Sequence, residues 1–493
     1  MERNKQTKLN VLFSLLLRLV TAITGLILPR LILLSFGSEA NGLMQAINQI
    51  LSYTVLFEMG IGGVIVASFY KPLAENDSES ISDIFNYTKG YFKKISLLYA
   101  GLGIVLALTA KFIISTEFDY LYVLLMVLIL AFSTYFSYYL ALPHQLLMKA
   151  DQKIRIVNCV QIITTIINFV VCVLLINAGS NIHTVKLVSA IVFILNPAVY
   201  RIYVKKHYKI SKNVHDKNRV YPQKRDGAVH HLSYFIHENT DIVLLSLICG
   251  VAVVSVYSVY NSVMIMLTGV FVSVSSGMSG AFGNMIALKE DEDLQKQFDR
   301  YECINTAATF GFFTISLLMI LPFVSIYTKG VEDIEYIRPL FAVLINLCSL
   351  MYCVRIPYAI VVGAAGHYKE TKIGALAEVL INVVVSVVLV NIMGLEGVAI
   401  GTLLAMTYRT IYTVWYLSRN ILKRPAKRFF ISFLINAATG IGAAFIFRGC
   451  FTWNPTSIPE FLLEAVKVSV LVLPAYVAVN FLILAVRKRI TKE

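Results

Sequence analysis

The chain has 493 residues, 57% of them hydrophobic and 15% charged, with a formal net charge of +14 and a mean hydropathy of +0.72. A soluble domain carries ~25% charged residues, so this composition excludes a soluble enzyme. Apolar runs of twenty or more residues recur from end to end. They read as many transmembrane helices; barrel strands would alternate apolar and polar residues over ~10 positions.

The first run lies in "MERNKQTKLNVLFSLLLRLVTAITGLILPRLIL". It is too long for a signal peptide and no clear cleavage site follows, so it reads as an uncleaved helix. The predicted spans are 10–35, 42–70, 95–115, 120–147, 157–177, 184–204, 232–249, 255–286, 302–327, 337–361, 372–392, 396–417, 429–447 and 461–486, fourteen in all. With the N-terminus inside, 33 of the 43 Lys and Arg fall on inner loops and tails, five on outer loops and five within spans. This obeys the positive-inside rule and places both termini inside. The net charge is then topology and attraction to anionic lipid, with no nucleic-acid partner implied. The longest outer loop, 448–460, has 13 residues, which leaves no room for an external catalytic domain. The seven cysteines are scattered through apolar segments with no CxxC pair, so they read as small buried hydrophobes and imply no metal site.

The basic connector "RIYVKKHYKISKNVHDKNRVYPQKRDGAVHH" (201–231) divides the spans into six and eight, and the two sides resemble each other. "FGSEANGLMQAIN" places Gly37 eleven residues before Asn48, and "CGVAVVSVYSVYN" places Gly250 eleven before Asn261. Each asparagine precedes a long apolar helix and then an acidic segment, "AENDSES" or "KEDEDLQKQ". An amphipathic stretch follows: Ile81, Ile84, Phe85, Tyr91 and Phe92 in one copy, Leu294, Phe298 and Tyr301 in the other. Both stretches are expected to lie along the inner membrane surface. The repeats start on odd-numbered spans and so run parallel, an architecture of transporters with the path between the halves. The expected parts are an N-lobe (1–204), a basic linker (205–231), a C-lobe (232–418) and an appended helix pair (419–493).

"FGSEANGLMQAINQILSYTVLFEMGIGGVIVASFYKPLAENDSESISDIFNYTKGYFKKI" resembles the second-helix and loop region of Wzx-type polysaccharide flippases. "HENTDIVLLSLICGVAVVSVYSVYN" resembles the seventh helix of the same family and its turn into the eighth. That family sits within the multidrug, oligosaccharidyl-lipid and polysaccharide exporter superfamily. The resemblance implies an all-α polytopic fold of about 14 transmembrane helices, two parallel six-helix repeats forming a V-shaped bundle. It implies a monomer in the bacterial cytoplasmic membrane that carries polyprenyl-diphosphate-linked oligosaccharides by alternating access. A polysaccharide polymerase would be its partner, and Na⁺ or H⁺ its coupling ion, with no other cofactor.

A sugar diphosphate cannot cross hydrocarbon alone, because each desolvated polar group is costly. It needs a polar path with fixed cations, and Arg binds phosphate bidentately. Arg18 and Arg30 of the first span, Arg355 of the tenth and Arg409 of the twelfth are the candidates, with Asn48 and Asn261 beside them. Snorkelling to lipid headgroups is the structural alternative. Glu58, in the inner half of the second span, either neutralises an arginine or competes with substrate phosphate and carries a proton. In "SYFIHENTDIVLL", Asp241 lies ~14 Å from the inner end and His237 and Glu238 at the inner mouth. With Glu378, Asn382 and Thr402, Asp241 forms a candidate coupling-ion set; hydrogen-bonded helix packing is the alternative.

A multidrug exporter of the same fold would want an acidic, aromatic cavity rather than arginines. A polysaccharide polymerase would want a substantial acidic outer loop, which the sequence lacks.

Overall fold

In a computed structural model of the protein, residues 2–53, 61–136, 140–211, 239–447 and 455–490 are described. The sequence folds as helices α1 (Glu2–Ser52), α2 (Ile61–Glu75), α3 (Ser78–Ile113), α4 (Tyr120–Phe136), α5 (Leu142–Ala150), α6 (Ile154–Asn177), α7 (Ile182–Phe193) and α8 (Leu195–His207). After α9 (Asn239–Ile248) come α10 (Val251–Ala287), α11 (Asp291–Tyr327), α12 (Pro339–Ala364), α13 (Tyr368–Met393), α14 (Leu395–Asn420), α15 (Lys427–Phe447) and α16 (Ile458–Ile490). Among the described residues, nine helices are long and apolar enough to cross a membrane. One of them, Leu9–Ser52, holds the first predicted span and the start of the second, joined at Gly37.

Gly37 has φ 82 and ψ 173. Only glycine enters that region readily, because a Cβ would clash with the backbone. Gly250 (φ 90) makes the same break before α10. The duplication continues along the chain: positive-φ residues pair as Gly37 with Gly250, Asn76 with Lys289, Gln152 with Gly366, and Gly179 with Gly394, at offsets of 213, 213, 214 and 215. Side chains repeat at the same offset. Phe85 meets His144 edge-on at 5.2 Å and 74°, and Phe298 meets Tyr358 edge-on at 5.2 Å and 78°.

The amphipathic stretches differ from expectation. Each is the N-terminal part of one continuous helix, α3 or α11, rather than a separate surface helix. Ile84 and Phe92 are 2% and 0% exposed, and Phe298 is 0% exposed. The reason is a better partner than lipid. The first stripe packs with Phe69 of α2 and Leu147 of α5, and Phe298 packs on Phe282 and Tyr358. Asp77 starts α3 by accepting from the N–H groups of Glu79 and Ser80 at 3.1 and 3.0 Å. The sixth span is broken between α7 and α8, where Pro197 has no N–H to continue the ladder.

The chain divides into two compact units, Met1–Leu232 with Gly250–Val254, and Ser233–Cys249 with Ser255–Glu493. Among the described residues the first has two cores. One gathers Ile32, Leu43, Ile47, Tyr99 and Val127; the other gathers Ile65, Phe69, Phe85, Phe92 and Tyr200. In the second unit α15 and α16 dock on α11. The Thr314 and Tyr476 hydroxyls are 2.7 Å apart, and Asn436 and Asn480 exchange amide hydrogen bonds of 3.2 and 2.7 Å. Outward-facing apolar side chains are common; Ile392, Phe445 and Phe481 are 74%, 73% and 71% exposed. Such a surface suits hydrocarbon rather than water. The protein is a multi-pass membrane protein.

Both units also fold the chain after their sixth predicted span back onto the N-terminal part of α3 or α11. In the first, Ser211 N–H donates to Ser82 Oγ at 2.9 Å and Asn86 donates to Ser211 O at 2.7 Å. In the second, Arg424 pairs with Asp299 and, at 3.2 Å, with Glu302, which also accepts from Tyr358. Burial opposes the charge on Arg424, but Glu302, Tyr358 and Asp299 outweigh it and raise its pKa.

Candidate functional site

The second unit buries two polar clusters on the same helix seam. In the first, Asp241 of α9 is 4% exposed. Thr402 of α14 donates its hydroxyl to both Asp241 oxygens, at 3.0 and 2.9 Å. Tyr257 of α10 donates to Oδ2 at 3.2 Å. Asn382 of α13 donates to Thr402 Oγ1 at 3.0 Å, which leaves its own Oδ1 buried with no hydrogen bond among the described residues. The cluster borders a cavity of about 390 Å³ whose lining includes Asp241, Tyr257, Asn261, Tyr352 and Thr402.

Two carboxylate oxygens and one hydroxyl therefore meet across α9 and α14, and Asn382 of α13 adds an amide whose oxygen has no hydrogen bond among the described residues. All are hard ligands, the type that Na⁺ takes, and the carboxylate alone suits a proton. Thr402 is the hinge of the set, since it touches both other residues.

The second cluster lies one turn along α13 from the first. Glu378 of α13 accepts from Arg355 of α12 at 2.8 Å and pairs with Arg409 of α14 at 3.4 Å. The three side chains are 8–12% exposed. Arg355 lies about 14 Å before the end of α12, Glu378 about 15 Å after the start of α13 and Arg409 about 17 Å before the end of α14, so three helices bring them to one level. Arg409 also donates to Thr371 O at 3.2 Å, and Arg355 lies over the Tyr352 ring at 5.6 Å. Two guanidiniums on one carboxylate leave a formal surplus of one positive charge. Glu378 and Asn382 are one turn apart on α13, so the two clusters are successive rungs between α13 and α14.

The seam is tight. A Cβ on Gly401 would overlap Ser386 Oγ and lie 2.7 Å from its backbone N. Gly401→Ala is expected to push α14 off α13, cost about 1–3 kcal/mol, and loosen Asn382 from Thr402. A melting temperature equal to the parent's would contradict this close approach.

The structure thus joins Asp241, Asn382 and Thr402, and ties Glu378 to Arg355 and Arg409. Asn261 lines the cavity beside Asp241. Arg18 and Asn48 are exposed in the first unit and Arg30 is half-buried. Glu58, His237 and Glu238 lie outside the described residues. Sequence reasoning missed Tyr257, one of 27 tyrosines with nothing local to mark it. It also missed Arg424, which read as one more charge in a basic connector.

No protein-family model matches the sequence, and no curated protein matches it. Solved structures do match the fold. A lipid II flippase, MurJ, in an inward closed conformation is 16% identical with a TM-score of 0.67, covering 98% of this chain and 100% of that one. An inward-facing multidrug resistance MATE family transporter of the MOP superfamily is 11% identical with a TM-score of 0.61, covering 81% and 94%. A MOP superfamily transporter from Pyrococcus furiosus is 12% identical with a TM-score of 0.57, covering 85% and 97%. The chain has the fold of these transporters. Coverage of this chain falls from 98% to 81% between the first two, a difference about the size of the final helix pair.

Proposed function

We propose that this chain, built on the MOP-transporter fold, is a flippase. Its cargo is polyprenyl-diphosphate-linked oligosaccharide repeat units, moved from the inner to the outer leaflet of the bacterial cytoplasmic membrane for cell-surface polysaccharide assembly. The supporting observation is that the likeness to a lipid II flippase runs over 98% of this chain and all of that one. A lipid-linked headgroup needs a polar path beside an apolar one, and Arg18 and Arg30 on α1 provide guanidiniums for its diphosphate. Transport is coupled to Na⁺ or H⁺ at Asp241, with Thr402 and Asn382 as the companion oxygen ligands. A polysaccharide polymerase takes the product outside.

The test is lipid extraction from a strain lacking the gene, with and without an Arg18→Ala copy restored. The expected result is polyprenyl-diphosphate oligosaccharide that accumulates and stays closed to an outside probe. Drug export is the second reading, supported by the likeness to MATE transporters. Normal lipid-linked intermediates together with raised drug sensitivity would select it and sink the flippase.

A further inference from the structure

Away from both polar clusters, α10 and α11 enclose a groove of about 410 Å³. One end is polar, with Gln297 and Arg300; the rest is apolar, with Val274, Met278, Ile304 and Phe312 among its lining. α11 runs 37 residues from Asp291 to Tyr327. About 20 residues fill the ~30 Å hydrocarbon core. Counting back from Tyr327, the core ends near Ala307, and Arg300 lies about 10 Å further, in the inner headgroup layer. Ile304 sits at the boundary and Phe312 within the hydrocarbon. From Arg300 to Phe312 the helix rises about 18 Å, close to the depth of one leaflet.

The charges of this turn are otherwise engaged. Lys296 is 3.9 Å from both Glu292 and Asp293, and Asp299 pairs with Arg424. Arg300 is exposed and has no hydrogen bond or ion pair among the described residues. A free guanidinium at headgroup height, opening onto an acyl-length apolar groove, matches one ligand chemistry. We propose that the α10–α11 groove binds an anionic phospholipid of the inner leaflet, with its phosphate on Arg300 and one acyl chain along Ile304 and Phe312. The inner leaflet is where basic side chains meet anionic lipid.

The full-length protein, stripped of lipid in neutral detergent, would be titrated with phosphatidylglycerol and separately with phosphatidylcholine. Bound lipid is counted by native mass spectrometry. The expected result is one phosphatidylglycerol held in preference to phosphatidylcholine. Arg300→Glu should weaken it about tenfold or more, and Ile304→Trp, which fills the groove, should weaken it with the arginine still present. Equal binding by parent and Arg300→Glu, or equal retention of the two lipids, would overturn the proposal. Displacement of phosphatidylglycerol by a polyprenyl phosphate at lower concentration would overturn it too, since the groove would then belong to the cargo's tail.

Discussion

Glu378→Gln is expected to destabilise the protein by about 3–5 kcal/mol, the cost of leaving buried charge without its partner. Arg355 and Arg409 are 10% and 12% exposed and both pair with this one carboxylate. The amide keeps the shape and one acceptor but removes the charge that offsets two guanidiniums. Arg409 retains Thr371 O, which softens its loss; Arg355 retains the Tyr352 face, a weaker contact. Thermal melting of the purified protein reads the effect. Replacing all three residues by Met should recover most of the loss, because a buried ion cluster is often no better than apolar packing of similar volume. The triple variant also separates two roles for the arginines. Retained transport would make them packing devices of the α12–α13–α14 seam; lost transport in a stable triple variant would put them on the substrate path. A melting temperature for Glu378→Gln within a degree of the parent's would refute the pairing.

The sequence carries the spans and the duplication because both rest on local signals. Gly37 and Gly250 each stand eleven residues before an asparagine, and both are positive-φ breaks in the helix path. The apolar stripe of Ile84, Phe85 and Phe92 was visible too, but its partner was not. A stripe shows that a face is apolar, not whether lipid or a neighbouring helix covers it, and here α2 and α5 do. The same gap explains the site. Asp241, Glu378, Asn382 and Thr402 stood out as polar residues in apolar spans. Which of them meet depends on the rotation of α13 and α14 about their axes, which no single-helix period reports. Glu378 therefore went to two arginines 23 and 31 positions away in the chain, while Thr402 went to Asp241. Arg424 is the converse case. Charge counting treats every basic residue of a connector alike, whereas this one is 1% exposed between Asp299 and Glu302.

Asp241→Asn is expected to abolish ion-dependent transport while leaving the fold nearly intact. Thr402 and Tyr257 are both hydroxyl donors to this side chain. The amide oxygen of asparagine still accepts one of them, and the other hydroxyl can turn to accept from the new NH₂. The change in stability should therefore stay within about 1 kcal/mol. What is lost is the negative charge that, on the proposed coupling role, would hold Na⁺ or take up the proton. Two measurements separate these outcomes from a folding defect. First, a bound cation stabilises the folded state by RT ln(1 + [L]/Kd), about 2.7 kcal/mol at a hundred times Kd. The parent's melting temperature should rise with Na⁺ if Na⁺ is the ion, and the variant's should not. Second, uptake of the proposed lipid-linked oligosaccharide cargo into liposomes should fall more than tenfold in the variant and lose its response to Na⁺ or to pH. A parent that melts and transports identically across Na⁺ concentration and pH would remove the coupling role from Asp241. A variant that keeps full, ion-responsive transport would show that the Asp241–Thr402–Asn382 cluster only packs α9 against α13 and α14.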